Sequence, residues 1–222
     1  MQAANKNKIN KKLIKEFTMS YIFRSWRKPI LAHQREIIDE TIELRELMGW
    51  SGKGFITVGN LNPNGYVTHL RNFDNLSDID EHLSNAQSNP NVGKKISEMN
   101  SKCQGYANII SEVVRPLNGL DVNDMNDRKF LVQMWFKSKP GSRGSIVDIL
   151  SDSGWNIDGV EPAISIPLST LDAGDIVMSV PIKSLSVIRT FEDTRKNASA
   201  TIEKLKGHIL GMNRAISNLI FD

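Results

Sequence analysis

A shift of 109 residues lays the second half of this 222-residue chain on the first, and that internal repeat restricts the available folds more than any other feature. In this register Gly54-Phe55-Ile56 falls on Ala163-Ile164-Ser165, Gly65 on Gly174, Val67 on Ile176, Leu76-Ser77 on Leu185-Ser186, and Ile79 on Ile188. The hairpin aligns without a gap, so equal loop lengths are expected in the two copies. The strand beginning at Tyr106 lies on the one from Ala215, residues 131–140 (LVQMWFKSKP) answer 20–29 (SYIFRSWRKP), and Gly154-Trp155 answers Gly49-Trp50.

The repeated unit can be read from local patterns. Residues 17–26 are aromatic and β-branched enough for a strand, and Pro29 then suits a first helical turn. Through residue 48 a helix places Leu31, Ile37, Ile38, Ile42, Leu44 and Met48 on one face and Arg35, Asp39, Glu43 and Glu46 largely on the other. Gly49 ends it. Two alternating runs, GFITV and YVTHLRNF, flank the turn-forming Asn62-Pro63-Asn64-Gly65 and read as an antiparallel hairpin. Ser77 and Asp80 form a capping box before a helix with Ile79, Leu83 and Ala86 on one face. Asn89-Pro90 interrupts it, Val92, Ile96 and Met99 continue the helical region, and YANIISEVV (106–114) supplies the last strand. The order is β-α-β-β-α-β, the ferredoxin-like unit. In the second copy the first helix is shorter, roughly Ser142 to Ser153, with Ile146, Ile149 and Leu150 inward.

Such a unit covers one sheet face with its helices and leaves the other bare; two linked copies can close their open faces against one another into a barrel. The expected fold class is therefore α+β, with two ferredoxin-like halves whose antiparallel sheets close within one chain. The division is a basic arm (1–15), an N-terminal half (16–117), an Asn/Asp-rich linker (118–128) and a C-terminal half (129–222).

Composition narrows the partners. The net charge of +3 comes from the arm: the five lysines Lys6, Lys8, Lys11, Lys12 and Lys15 precede the first acid, and residues 16–222 carry 23 basic and 25 acidic residues. A near-neutral body argues against a nucleic-acid-binding face, and Lys53-Gly54-Phe55, which looks like an RNA-recognition motif, falls on the wrong strand. No run reaches the ~20 apolar residues of a membrane span. The single cysteine, Cys103, allows no internal disulfide and reads as a passive helix residue in a reducing, cytoplasmic compartment.

The first half also resembles the NIPSNAP branch of the dimeric α/β-barrel superfamily. The residues that carry this are Gly59-Asn60-Leu61-Asn62, Val67-Thr68-His69-Leu70, Asn75-Leu76-Ser77 and Asn89-Pro90, with Asn60 and Arg71 departing from the family's proline and tryptophan. The resemblance implies an intrachain dimeric α/β-barrel with a mostly apolar pocket. It also implies a range of roles: cofactor-independent monooxygenase, isomerase, haem binder, or non-catalytic assembly module.

Two candidate site residues come from comparing the copies. Alternation puts His69 and Arg71 on one strand face with Val67 and Phe73, where the duplicate has Ile176, Met178, Val180 and Ile182. Buried polar groups need partners. Either the pair is satisfied internally, with Arg71 reaching solvent or a carboxylate, or it serves a pocket for a small, largely apolar ligand. In the second case His69 acts as base or acceptor and Arg71 stabilises an anion or enolate. His33 and His82 read as solvated helix residues. By the resemblance His208 is a candidate haem ligand; otherwise no cofactor is implied, and no metal-site motif occurs. Trp50 and Trp155 read as barrel-end plugs or stacking surfaces, and Tyr66 points away from His69. Pairing of chains through outer surfaces remains open.

Overall fold

The structure is a computed structural model that describes residues 21–49, 54–58, 65–120, 127–169, 175–189 and 199–220. The described residues form β1 (Tyr21–Pro29), α1 (Gln34–Leu47), β2 (Gly54–Val58), β3 (Val67–Phe73), α2 (Leu76–Ser88), α3 (Pro90–Ser101) and β4 (Cys103–Arg115). After these come β5 (Phe130–Ser138), α4 (Arg143–Ser151), β6 (Ala163–Pro167), β7 (Asp175–Ile182), α5 (Ser199–Lys206) and β8 (Ile209–Ile220).

Every strand pair is antiparallel, and the spatial order is β4-β1-β3-β2 in the first half and β8-β5-β7-β6 in the second. The long last strand of each half reaches across to the other. Ser111–Arg115 of β4 pairs Ile164–Pro167 of β6, and Asn218–Ile220 of β8 pairs Ile56–Val58 of β2. Eight strands thereby close into one barrel within the chain, as expected, and no sheet edge is left at either seam.

Period-two alternation gives this barrel two faces. Helix-side positions build the core: Ile37, Ile38 and Leu44 of α1 pack with Val92 and Met99 of α3 over Ile56 and Val67, while Phe23, Phe73 and Ile79 form a neighbouring cluster. In the second half Phe136 centres the largest cluster, with Ile146, Leu150, Trp155, Ile164, Ile176 and Met178. Each fully buried aliphatic side chain here contributes roughly 1.5–3 kcal/mol. Glu40 is buried between α1 and α3 because Lys95 and Lys102 bond its Oε1 at 3.3 and 2.8 Å. The alternate positions, among them Arg24, Trp26, Leu70, Ser111, Gln133 and Trp135, turn into the lumen.

Local expectations need correction in several places. Pro29 closes β1 instead of opening a helix: the residue before a proline is driven to extended geometry, which prolongs the strand through Lys28, and the helical turn starts after Ile30. The cap of α2 is Asn75, two residues earlier than the expected box. Its Oδ1 accepts from Asp78 N at 2.9 Å and from Ser77 Oγ at 2.6 Å. Asn75→Ala should cost about 1 kcal/mol in urea unfolding, whereas Asp80→Ala should be nearly silent. Asn89 caps α3 in the same way, with Pro90 at its first position. Cys103 begins β4 rather than lying on a helix. The start of the expected linker is pinned: Asn118 and Glu161 exchange backbone bonds of 3.3 and 2.8 Å, and Leu120 is buried.

The repeat register also shifts. Ser25 pairs His69 and Met134 pairs Met178, so β1 matches β5 at 109 residues and Trp26 answers Trp135; the reading of 131–140 on 20–29 is two residues out. Ile56 pairs His69 whereas Ile164 pairs Met178, so β2 matches β6 at 108 and the two hairpins differ by one residue. Tyr106 pairs Arg27 as Met212 pairs Phe136, so Tyr106 answers Met212, not Ala215. A one-residue slip reverses every side chain, and identity matching cannot detect it, but a helix-covered face can: Ile56 and Ile164 are both fully buried there. The bulge at Lys28/Pro29 recurs at Lys137/Ser138, and Gly49 and Gly154 follow α1 and α4 with the same φ of 62°. Gly174 and Trp50 lie outside the described residues.

Candidate functional site

On the helix side of the first half, β1 presents Phe23, Ser25 and Arg27, and β3 presents Val67, His69, Arg71 and Phe73. The corresponding positions of the second half are Val132, Met134 and Phe136, then Ile176, Met178, Val180 and Ile182. One lattice therefore carries two interiors. Where the second half buries Met134, Phe136, Met178 and Val180, the first places Ser25, Arg27, His69 and Arg71. The helices add two more polar groups: Arg45 from the last turn of α1 and His82 from α2, each 8% exposed.

The geometry settles one tautomer. Arg71 Nη1 lies 3.1 Å from His82 Nδ1, and a guanidinium has no lone pair to offer, so Nδ1 accepts and the His82 proton sits on Nε2. Phe23 and Phe73 hold the His82 ring edge-on and tilted at 5.6 and 5.5 Å, and the Arg71 guanidinium lies 4.8 Å from the Phe73 ring centre. Arg27 donates to Asn100 Oδ1 at 3.2 Å and to Ser25 Oγ at 2.9 Å, which fixes its fork beneath α3.

Burial pushes the His69 pKa down to about 3, with Arg45, Arg71, His82 and Arg27 adding to the effect in that order. His82 falls to about 4 through burial and then Arg71. Burial also lowers Arg71, with Arg45 adding, and lowers Arg27, against the pull of Cys103 and Glu40. Two neutral imidazoles thus lie among three guanidinium groups. Such a site resists proton uptake by either imidazole and favours a bound oxygen carrying negative charge.

Sequence reasoning put His69 and Arg71 on one face and the structure places them there. It missed Arg27, Arg45 and His82. His82 is not solvated: three residues after the fully buried Ile79, it shares the inward stripe of α2. Arg27 was hidden by the two-residue register error, since at 109 it falls on Phe136. His33 is half exposed beside Glu36 Oε2 at 2.8 Å. Tyr66 leaves the His69 face and stacks on Trp26 at 4.7 Å. Trp155 is core, 6% exposed. Cys103 Sγ points to Met99 O at 3.2 Å, and burial raises its pKa, which suits an inert thiol.

His208 lies on the turn between α5 and β8, with Nδ1 3.3 Å from Ser142 Oγ. The sheet–helix interior of its half is filled by the Phe136 cluster. The recess lined by Val132, Ile157, Ile182, Val187, Ile188 and Arg214 measures about 10 Å³, room for one water. The described residues around His208 do not fit a haem. Haemin titrated into the protein should leave its absorbance spectrum unchanged, and a sharpened Soret band lost in His208→Ala would reverse this assignment. Among the described residues no group of three or more metal-ligating side chains occurs, and no helix is long and apolar enough to cross a membrane.

Eight antiparallel strands closed from two ferredoxin-like halves define the dimeric α/β-barrel fold, here completed by one polypeptide. The same architecture is found in an anthrone oxidase-like protein, which superposes with a TM-score of 0.68 at 9% identity over 91% of this chain and 92% of that one. A proposed monooxygenase from Fusobacterium nucleatum subsp. nucleatum matches with a TM-score of 0.68 at 12% identity, covering 91% and 93% of the two chains. Chlorite dismutase from Candidatus Nitrospira defluvii matches at 0.55 and 12% identity over 96% and 95%. No protein-family model and no curated protein matches the sequence.

Proposed function

We propose that the chain is a tandem duplicate, with units 16–117 and 129–222 joined by 118–128, whose first unit binds a small, largely apolar molecule bearing an enolisable or anionic oxygen. The observation that carries this reading is the substitution of Ser25, Arg27, His69 and Arg71 for the apolar set Met134, Phe136, Met178 and Val180 on one lattice. Burying Arg27 and His69, with Ser25 and Arg71 partly buried beside them, is costly for stability alone, and the second unit demonstrates an apolar alternative. The similarity of fold to an anthrone oxidase-like protein and a proposed monooxygenase agrees with an oxygenation, and our reading is that such a reaction, or an isomerisation, runs here without a cofactor. The NIPSNAP-like strand Val67-Thr68-His69-Leu70 carries the histidine of this site.

With a pKa near 3, His69 is a feeble base in the free protein. A ligand whose oxygen gains negative charge beside Arg71 and Arg45 offsets the two guanidinium groups that depress His69, so proton transfer to the imidazole becomes easier as the enolate forms. Isomerisation returns that proton to another atom of the ligand. Oxygenation takes dioxygen as the oxidant. A cytoplasmic setting and pairing of chains through outer surfaces belong to the same proposal.

The test uses anthrone, with oxygen uptake and ligand-induced thermal shift as readouts. The double variant His69→Met/Arg71→Val copies the second unit, so it should fold with unchanged or higher stability while binding falls at least 100-fold. Equal binding by the variant and the wild type would remove His69 and Arg71 from the site. An unfolded double variant, beside a tolerated Met178→Ala, would make the pair structural.

A further inference from the structure

The other face of the sheet carries a separate feature. Arg24 projects from β1 into the barrel lumen, is 2% exposed, and makes one side-chain hydrogen bond among the described residues, a long one of 3.4 Å from Nη1 to Ser111 Oγ. Among the described residues its Nε and Nη2 have no hydrogen-bond partner. The ring of Trp135, contributed by the opposite half, lies 5.6 Å from the guanidinium carbon and offsets only part of the cation's lost hydration. The flanking lumen positions on neighbouring strands, Leu70, Ile109 and Ser111, supply no negative charge, and Gln133, which answers Arg24 in the second half, bonds Ser179 Oγ at 3.4 Å instead. Burial lowers the Arg24 pKa to about 10, so the group stays charged at pH 7, and among the described residues no acid compensates it.

The two orphaned nitrogens identify the missing partner. Nε–H and one Nη2–H of an arginine point the same way and form the side-on fork that matches a carboxylate or another oxyanion with two parallel bonds. A neutral water can meet the hydrogen bonds but not the charge. Beside the fork lies the hydroxyl of Ser111, fully buried, and Ser165 faces the same lumen further along from β6. We propose that the barrel lumen binds one compact oxyanion, gripped by the Nε/Nη2 fork of Arg24 with Ser111 beside it, a site on the opposite side of the sheet from His69 and independent of its function.

The experiment is isothermal titration of the full chain at pH 7 and constant ionic strength with formate, acetate, nitrate and phosphate. Saturable binding of at least one of them near one equivalent per chain is expected. A preference for formate and acetate identifies the carboxylate of a small organic acid, and a preference for nitrate or phosphate identifies an inorganic oxyanion. Arg24→Met should weaken that binding at least tenfold and, in chloride alone, melt higher than wild type, because it removes an uncompensated cation. Ser111→Ala should weaken it a few-fold and serves as the second variant if Arg24→Met does not fold. No saturable binding by wild type, or affinity unaltered in Arg24→Met or Ser111→Ala, overturns the proposal and leaves Arg24 to water and Trp135.

Discussion

Phe136→Ala should lower the free energy of unfolding by about 3–5 kcal/mol, the range for truncating a fully enclosed aromatic side chain. Phe136 is 0% exposed and joins elements that are distant in sequence: Ile146 and Leu150 from α4, Trp155 beyond it, Ile164 from β6 and Ile176, its direct partner, from β7. No neighbour can fill the space without leaving its own contacts, so most of the cavity should persist. Arg27 holds the same position in the first half, and Arg27→Ala should act differently. It removes a desolvated cation together with bonds to Asn100 and Ser25, two opposing effects, so its net cost should fall well below that of Phe136→Ala. Urea unfolding of both variants checks the pair. Equal losses would show that the Arg27 network stabilises as strongly as an apolar core and would undercut the functional reading of the first half.

The architecture was legible because it rests on signals that survive small errors. The order β-α-β-β-α-β, its recurrence in the second half and the break at Asn89-Pro90 each depend on runs of residues, and two bare sheet faces on one chain have few ways to be covered. Register was less legible. One-residue and two-residue slips at β2/β6 and β1/β5 look harmless in an alignment of weakly similar strings, yet they decide which side chains meet the helices. That is why His69 and Arg71, on the strand whose match was right, were found, while Arg27, aligned two positions off, was not. His82 and Arg45 were missed for a related reason: a polar residue within an apolar helical stripe reads as an interruption until its strand partner is known. Arg24 gave no sequence signal, because nothing local shows that the alternate face of β1 is sealed inside a lumen.

Acid should destabilise the protein well above the carboxylate range. Unfolded, His69 and His82 titrate near 6.5; folded, they are held near 3 and 4. Below about pH 6.5 the unfolded chain takes up protons that the folded chain refuses, so stability falls with pH until the folded values are reached. Arg45 from α1, Arg27 from β1, Arg71 from β3 and His82 from α2 all face His69, and each adds to the lowering of its pKa. Each histidine should therefore contribute a loss of about 2 kcal/mol between pH 7 and pH 5. Glu36 and Glu161, whose pKa values are lowered by Lys102 and by Asn118 with Arg115, lose their contribution only at lower pH, through the carboxylate range. The interval from pH 7 to pH 5 thus isolates the imidazoles. Urea unfolding across it should show a steep slope in wild type and a slope reduced by about half in His69→Met, with the variant more stable than wild type at pH 5. Parallel slopes would mean that His69 takes up its proton in the folded state, and that the cationic surroundings proposed to activate a ligand oxygen are already neutralised.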